Sequence, residues 1–257
     1  MSTPQLLTHP SPEALAEHVA TRLVARLADA QAQGRVPSVA LTGGTIAARI
    51  HQALVAASRD RVDWSRVDIW WGDERYVLRD SPDRNDRQAA ESLLDHVAVD
   101  PARVHAMPAA AESGPGAGNG DGAGGLREAA AAYGAEVRAH GSGRFDVVML
   151  GVGPDGHVAS LFPGYPQLDV VDDIAVPVTG SPKPPPERIS LTFPALNRSS
   201  AVWFVVSGEG KAEAVARALA TGDDRPGVHE IPAVGVSGED ETLWFVDEDA
   251  ASRLPAS

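Results

Sequence analysis

The 257-residue chain has no cysteine, which removes disulfides, thiolate metal sites and cysteine nucleophiles from consideration in any compartment. It also lacks any apolar run near the roughly 20 residues needed to span a bilayer, so no membrane role is expected. Residues 1–10 carry neither a basic stretch nor a long apolar core, so no secretory leader is read and a cytoplasmic location is expected. Basic residues are outnumbered, with 22 Lys and Arg against 35 Asp and Glu, a formal charge of −13. No basic stripe offsets that field, which argues against a nucleic-acid partner. A small phosphorylated molecule is a different case, because one anion needs only a few local amides and one or two cations.

What is present is an ordinary globular composition, 43% hydrophobic and 22% charged. Ser11-Pro12 opens a helix in which Leu15, Val19, Leu23 and Leu27 recur at four-residue spacing until Gly34. An apolar strand over 36–41 is followed by the turn Thr42-Gly43-Gly44-Thr45 and a helix over 46–57. The same sequence of strand and polar turn returns at 67–71 before Gly72-Asp73-Glu74-Arg75, at 145–150 before Gly151, and at 201–206 before Ser207-Gly208-Glu209-Gly210-Lys211. Strands alternating with helices predict an α/β fold, a mostly parallel sheet covered on both faces in doubly wound, Rossmann-like fashion. Ligands of such sheets collect at the carboxyl ends of the strands, where all four polar turns fall. We read one domain over 1–257, interrupted by a flexible glycine-rich loop at 112–125. The segment 181–187, Ser-Pro-Lys-Pro-Pro-Pro-Glu, is stiff and is expected to border the site.

Gly151-x-Gly153-x-x-Gly156 matches the dinucleotide pattern and follows a strand, but Pro163-Gly164 arrives before a supporting helix could form. Gly208-Glu-Gly-Lys211 lacks the spacing of a nucleotide-binding P-loop, with Val205 and Ala212 at two defining positions. Neither supports nucleotide binding. The glycines of 151–156 serve better to aim Asp155 and His157: histidine can take a proton from water and return it, and an adjacent carboxylate can orient the ring. A second reading is that the two residues cap a short helix starting at His157. Thr42 to Thr45 is either a plain tight turn with a threonine cap or an anion cradle at a helix amino terminus. Lys211 and Arg188 are either solvated cations or phosphate ligands, and Asp73-Glu74-Arg75 is either a surface ion-pair cluster or a cleft wall.

Six blocks, "LTGGT" at 41–45, "WWGDERYV" at 70–77, "SPDRNDRQA" at 81–89, "LGVGPDGHVASLFPG" at 150–164, "ERISLTFPALNRS" at 187–199 and "GEGKAEAV" at 208–215, resemble in order and content the motifs of 6-phosphogluconolactonases. The resemblance implies hydrolysis of 6-phospho-D-glucono-1,5-lactone, with His157 as catalytic base and Asp155 beside it. It also implies Thr42, Gly43, Gly44, Thr45, Arg188 and Lys211 as phosphate contacts, and Asp73, Arg75 and Asn85 as substrate contacts. The related glucosamine-6-phosphate deaminases share Asp-Gly-His but continue with a glutamate-containing run, where this chain has Leu161-Phe162-Pro163-Gly164. A sugar-phosphate sensor on the same fold would need a DNA-binding helix pair, and none precedes the first strand read here. A lactone carbonyl is already electrophilic, so no metal or organic cofactor is expected. The sequence does not choose between a monomer and a homodimer.

Overall fold

The computed structural model describes residues 2–111, 122–141 and 143–255. Along the chain run β1 (Pro4–His9), α1 (Pro12–Ala32), β2 (Ser38–Leu41), α2 (Thr45–Ala57), β3 (Asp68–Trp71), β4 (Asp73–Arg75), α3 (Asn85–Ser92) and α4 (Gly122–His140). They are followed by β5 (Val147–Leu150), β6 (Ala175–Val178), β7 (Arg188–Leu191), α5 (Phe193–Asn197), β8 (Ala201–Val206), α6 (Ala212–Ala218), β9 (Glu241–Asp247) and α7 (Glu248–Ala251).

Six strands form one parallel sheet in the order β1-β9-β8-β5-β2-β3. Every residue of β2, β5 and β8 is buried, which explains their continuous apolar sequences: a parallel strand covered on both faces cannot alternate with polar residues. The chain leaves β2 for β3 on one side and then returns to place β5 on the other. The connections therefore diverge between β2 and β5, and the carboxyl ends of those two strands frame a crevice.

Serine at 11 caps α1 through Ala14 N, and Leu15, Val19, Leu23 and Leu27 are buried, each such side chain contributing about 2 kcal/mol by burial. α1 packs on α2 and β9, while α4 packs on β6 and β7. The hydroxyl of Tyr133 on α4 donates to Trp71 O at 3.1 Å, which fastens that helix to the end of β3.

Two features escape the periodicity of the sequence. The edge strand β1 and its neighbour β9 complete the sheet, and a second, antiparallel sheet, β4-β7-β6, stands beside the first. Gly72 joins them: its N–H donates to Leu41 O of the large sheet and its carbonyl accepts from Leu191 N of the small one. Of the glycine-rich insertion expected at 112–125, residues 112–121 lie outside the described residues, and α4 already begins at Gly122.

Candidate active site

Beyond β5 the chain does not enter a helix. Residues 152–161 form a compact turn in which Val158 bridges to both Val152 and Leu161, and Gly153 N donates to His157 O at 2.9 Å. The helix-cap reading of Asp155 and His157 therefore falls, since there is no helix for them to cap. Instead His157 Nδ1 lies 2.5 Å from Asp155 Oδ1, and the ring packs against Phe162 with centroids 4.6 Å apart. Burial alone would raise the Asp155 carboxyl, but the hydrogen bond and charge of His157 outweigh it and pull the group down to about 2. The carboxylate thus accepts from Nδ1–H and leaves Nε2 as the ring's second polar atom. Glycine at 153 is required, because a Cβ there would overlap both the imidazole and the Asp155 carboxylate.

Across the crevice, Gly44 takes the N-cap position of α2 at φ 97° and supplies no side-chain hydrogen bond. The first amides of this 13-residue helix are consequently not capped by a side chain, and the threonine-cap alternative does not hold. Thr42 Oγ1 accepts from Gly151 N at 3.3 Å, tying the β2 turn to the start of the histidine turn. A Cβ on Gly43 would overlap the Asn85 carboxamide, so glycine here lets α3 approach the β2 turn.

The third wall comes from β4 and α3. Asn85 Oδ1 accepts from Arg75 Nη1, and Asn85 Nδ2 donates to Asp73 O at 2.9 Å. Beneath them the buried carboxylate of Glu74 accepts from the backbone amides of Arg75, Asn85 and Asp86 at 2.7 to 2.8 Å. Glu74 thereby caps α3 from a neighbouring strand, since Arg84 at the N-cap makes no side-chain cap. Burial pushes the Glu74 carboxyl up, against the pull of Arg84 and of its amide donors. Arg84, fully buried, holds Asp86 through two bonds at 2.7 and 2.8 Å and Met107 O at 2.7 Å. Asp73 is buried and accepts from Ser160 Oγ at 2.6 Å, which locks β4 to the histidine turn.

These walls enclose a cleft of about 240 Å³ that brings together Thr42, Gly43, Gly44, Asp73, Arg75, Asn85, His157, Arg188 and Lys211. Asp155 stands behind His157, and Thr45 faces an adjoining compartment of about 410 Å³ that shares Gly43, Gly44 and Lys211 with the cleft. Lys211 ends a single 3-10 turn, Glu209–Lys211, that leads into α6, and the turn's start is anchored by Asp247, whose carboxylate accepts from Ser207 Oγ at 2.6 Å and Gly208 N at 3.0 Å. Motif reading misses Ser160, Arg84, Asp247 and the capping role of Glu74, because each acts through a partner distant in sequence or on another element. It also misses Lys183, which lines the cleft from the proline-rich segment.

Residues 10–244 match the family model described as glucosamine-6-phosphate isomerases/6-phosphogluconolactonase. The chain is 46% identical to the 6-phosphogluconolactonase of Streptomyces coelicolor, over 99% of this chain and 96% of that one. It is 40% identical to that of Mycobacterium tuberculosis over 96% and 97% of the two chains. The crystal structure of the Thermotoga maritima 6-phosphogluconolactonase superimposes with a TM-score of 0.77 at 27% identity, over 96% of this chain and 100% of that one. Sequence and fold agree, and the chain belongs to the glucosamine-6-phosphate isomerase/6-phosphogluconolactonase family.

Proposed function

We propose that this chain hydrolyses 6-phospho-D-glucono-1,5-lactone to 6-phosphogluconate, a step of the oxidative pentose phosphate pathway, with His157 as the base. The observation that carries the reading is the shared cleft: the His157–Asp155 pair and the uncapped glycine turn of α2 face one space across the divide between β2 and β5. In the reaction, Nε2 of His157 takes a proton from water as the water oxygen bonds to the lactone carbonyl carbon. The tetrahedral intermediate then breaks its bond to the ring oxygen, which receives that proton from His157. The product carboxyl ionises in water, and the phosphate ester is untouched.

Arg75, held by Asn85, is suited to stabilise the oxyanion, because its guanidinium is fixed before charge develops. The amides of residues 43–45, with Thr42, Arg188 and Lys211, are suited to the phosphate, where the α2 dipole favours an anion. Gripping the distant phosphate orients the carbonyl toward His157.

The same reading takes residues 1–257 as a single sugar-phosphate-binding domain, because both sheets contribute to one cleft and one continuous core. It takes the large sheet as doubly wound and Rossmann-like, supported by the reversal of direction after β3 and by α1–α2 and α4 packing on different neighbours. A cytoplasmic location belongs to it as well, since a doubly charged sugar phosphate does not cross bilayers unaided.

The test is NMR of freshly generated lactone, corrected for spontaneous hydrolysis. Wild-type protein should accelerate ring opening, and His157→Ala, folded by circular dichroism, should lower kcat by about a thousandfold. Equal rates for the two would overturn the catalytic assignment. Ammonia release from glucosamine 6-phosphate in place of lactone turnover would overturn the reaction.

A further inference from the structure

The segment from Ser181 to Glu187 lies outside every helix and strand, and four of its seven residues are proline. It is nevertheless held at several points. Ser181 N donates to Pro186 O at 3.0 Å, closing the segment into a loop, and Ser181 Oγ donates to Lys183 O at 3.0 Å. Arg188, buried at the foot of β7, gathers three successive carbonyls: Nη2 donates to Lys183 O at 3.0 Å and Pro184 O at 3.3 Å, and Nε donates to Pro185 O at 3.0 Å. Much of the hydrogen-bonding capacity of this guanidinium is therefore directed at the strap.

The strap carries one cation, Lys183, and sets it on the rim of the cleft that also holds His157 and Lys211. Among the described residues neither lysine has a carboxylate within 4.0 Å. The two also feel each other. The Lys211 ammonium is lowered from its ordinary value first by burial and then by the charge of Lys183, with Asp155 opposing. In a chain of net charge −13, two uncompensated ammoniums facing one small space are unfavourable unless an anion lies between them.

We propose that Lys183 is a specificity-determining residue of the cleft: presented by the proline strap, its ammonium binds the substrate's phosphate monoester together with Lys211, while Arg188 holds the strap in place. The proposal rests on the sugar-phosphate reading given above and adds to it the cation opposite Lys211. The prolines lower the entropy lost when the strap is ordered, so more of the lysine's attraction is expressed as affinity.

Lys183→Ala and Lys183→Arg test this by steady-state kinetics on the phosphorylated lactone and by calorimetric binding of 6-phosphogluconate. Lys183→Ala should raise KM and the product Kd about tenfold, as expected for one charge-assisted contact, with kcat falling less than about threefold. Lys183→Arg should restore both to within about threefold of wild type. Unchanged KM and Kd in Lys183→Ala would show a solvated lysine and overturn the proposal. So would a fall in kcat and thermal stability at constant KM, the mark of a strap that only folds. If wild type binds 6-phosphogluconate without turning over the lactone, the hydrolysis reading fails alone and the Kd comparison still decides Lys183. Failure of wild type to bind it overturns both.

Discussion

The two ends of the parallel sheet make opposite use of charge. At the amino ends of the strands lies a groove of about 930 Å³, far larger than the cleft, lined by Arg22, Arg26, Arg35 and Arg144. Each of these arginines has a carboxylate partner: Glu241 for the first two, Asp146 for Arg35, and Glu239 and Asp240 for Arg144. At the carboxyl ends the cleft is small, and its cations Lys183, Arg188 and Lys211 have no carboxylate within 4.0 Å among the described residues. Under the proposed function, volume therefore does not mark the active end of the sheet. Uncompensated positive charge beside a carboxylate–imidazole pair does, because only the cleft has electrostatic work left for a ligand to complete.

Acid separates the two ends with the largest expected effect. His51 on α2 bonds through Nδ1 to Ser92 Oγ of α3 at 2.9 Å, joining the two helices whose amino termini form the cleft. The Ser92 hydroxyl donates to Gln88 O at 2.6 Å, so it accepts from His51, and the proton sits on Nδ1. Nε2 is then a buried acceptor with no partner among the described residues, and burial lowers the imidazole to about 4. A folded value below the ordinary 6.5 means that the unfolded chain binds the extra proton first. This contribution is whole above pH 6.5 and is lost as pH falls through about 4. Denaturant unfolding between those limits should show a loss of up to about 3 kcal/mol, absent in His51→Leu. His51 does not line the groove, so this loss belongs to the cleft end of the sheet. An identical slope in His51→Leu would remove this distinction.

Gly43→Ala comes next. Its methyl group must displace Asn85 and with it Arg75, and a shift of about 1 Å in such a wall is expected to lower kcat/KM about a hundredfold. Unaltered kinetics would mean that the α3 wall does not position the reacting groups. The smallest effect belongs to the groove. Arg22→Ala or Arg35→Ala removes a partly exposed ion pair and should cost under about 1 kcal/mol in thermal unfolding, with kcat/KM within about twofold of wild type. A tenfold kinetic loss in either variant would break the contrast between the two ends.

The carboxyl-end half of this comparison was legible in the sequence, whereas nothing in it marked the paired arginines of the groove. Strand-and-turn units at Thr42, Asp73, Gly151 and Ser207 put most of the expected side chains at the carboxyl ends of strands, with Asn85 at the start of α3 and Arg188 at the start of β7 as exceptions, and the order of the six blocks pointed to the family. What was not legible is non-local. The strap's lysine differs in no local respect from a solvated one, and Arg188 alone does not disclose that its donors face the proline carbonyls. Glu74 has the composition of a surface carboxylate, yet it is buried and caps a helix that begins eleven residues later. β1 is an edge strand exposed along most of its length, and only its pairing with β9 marks it as part of the sheet.

By itself the sequence determined the α/β class with its mostly parallel sheet, the family and the residue types available, since hydrophobic periodicity and turn chemistry act over a few residues. Tertiary structure alone decided which ring nitrogen of His157 is held by Asp155, which helix a carboxylate caps, and which cations have no carboxylate partner among the described residues. Those outcomes depend on contacts between segments up to a hundred residues or more apart, as between Thr42 and Gly151, and on the dielectric that burial creates around them.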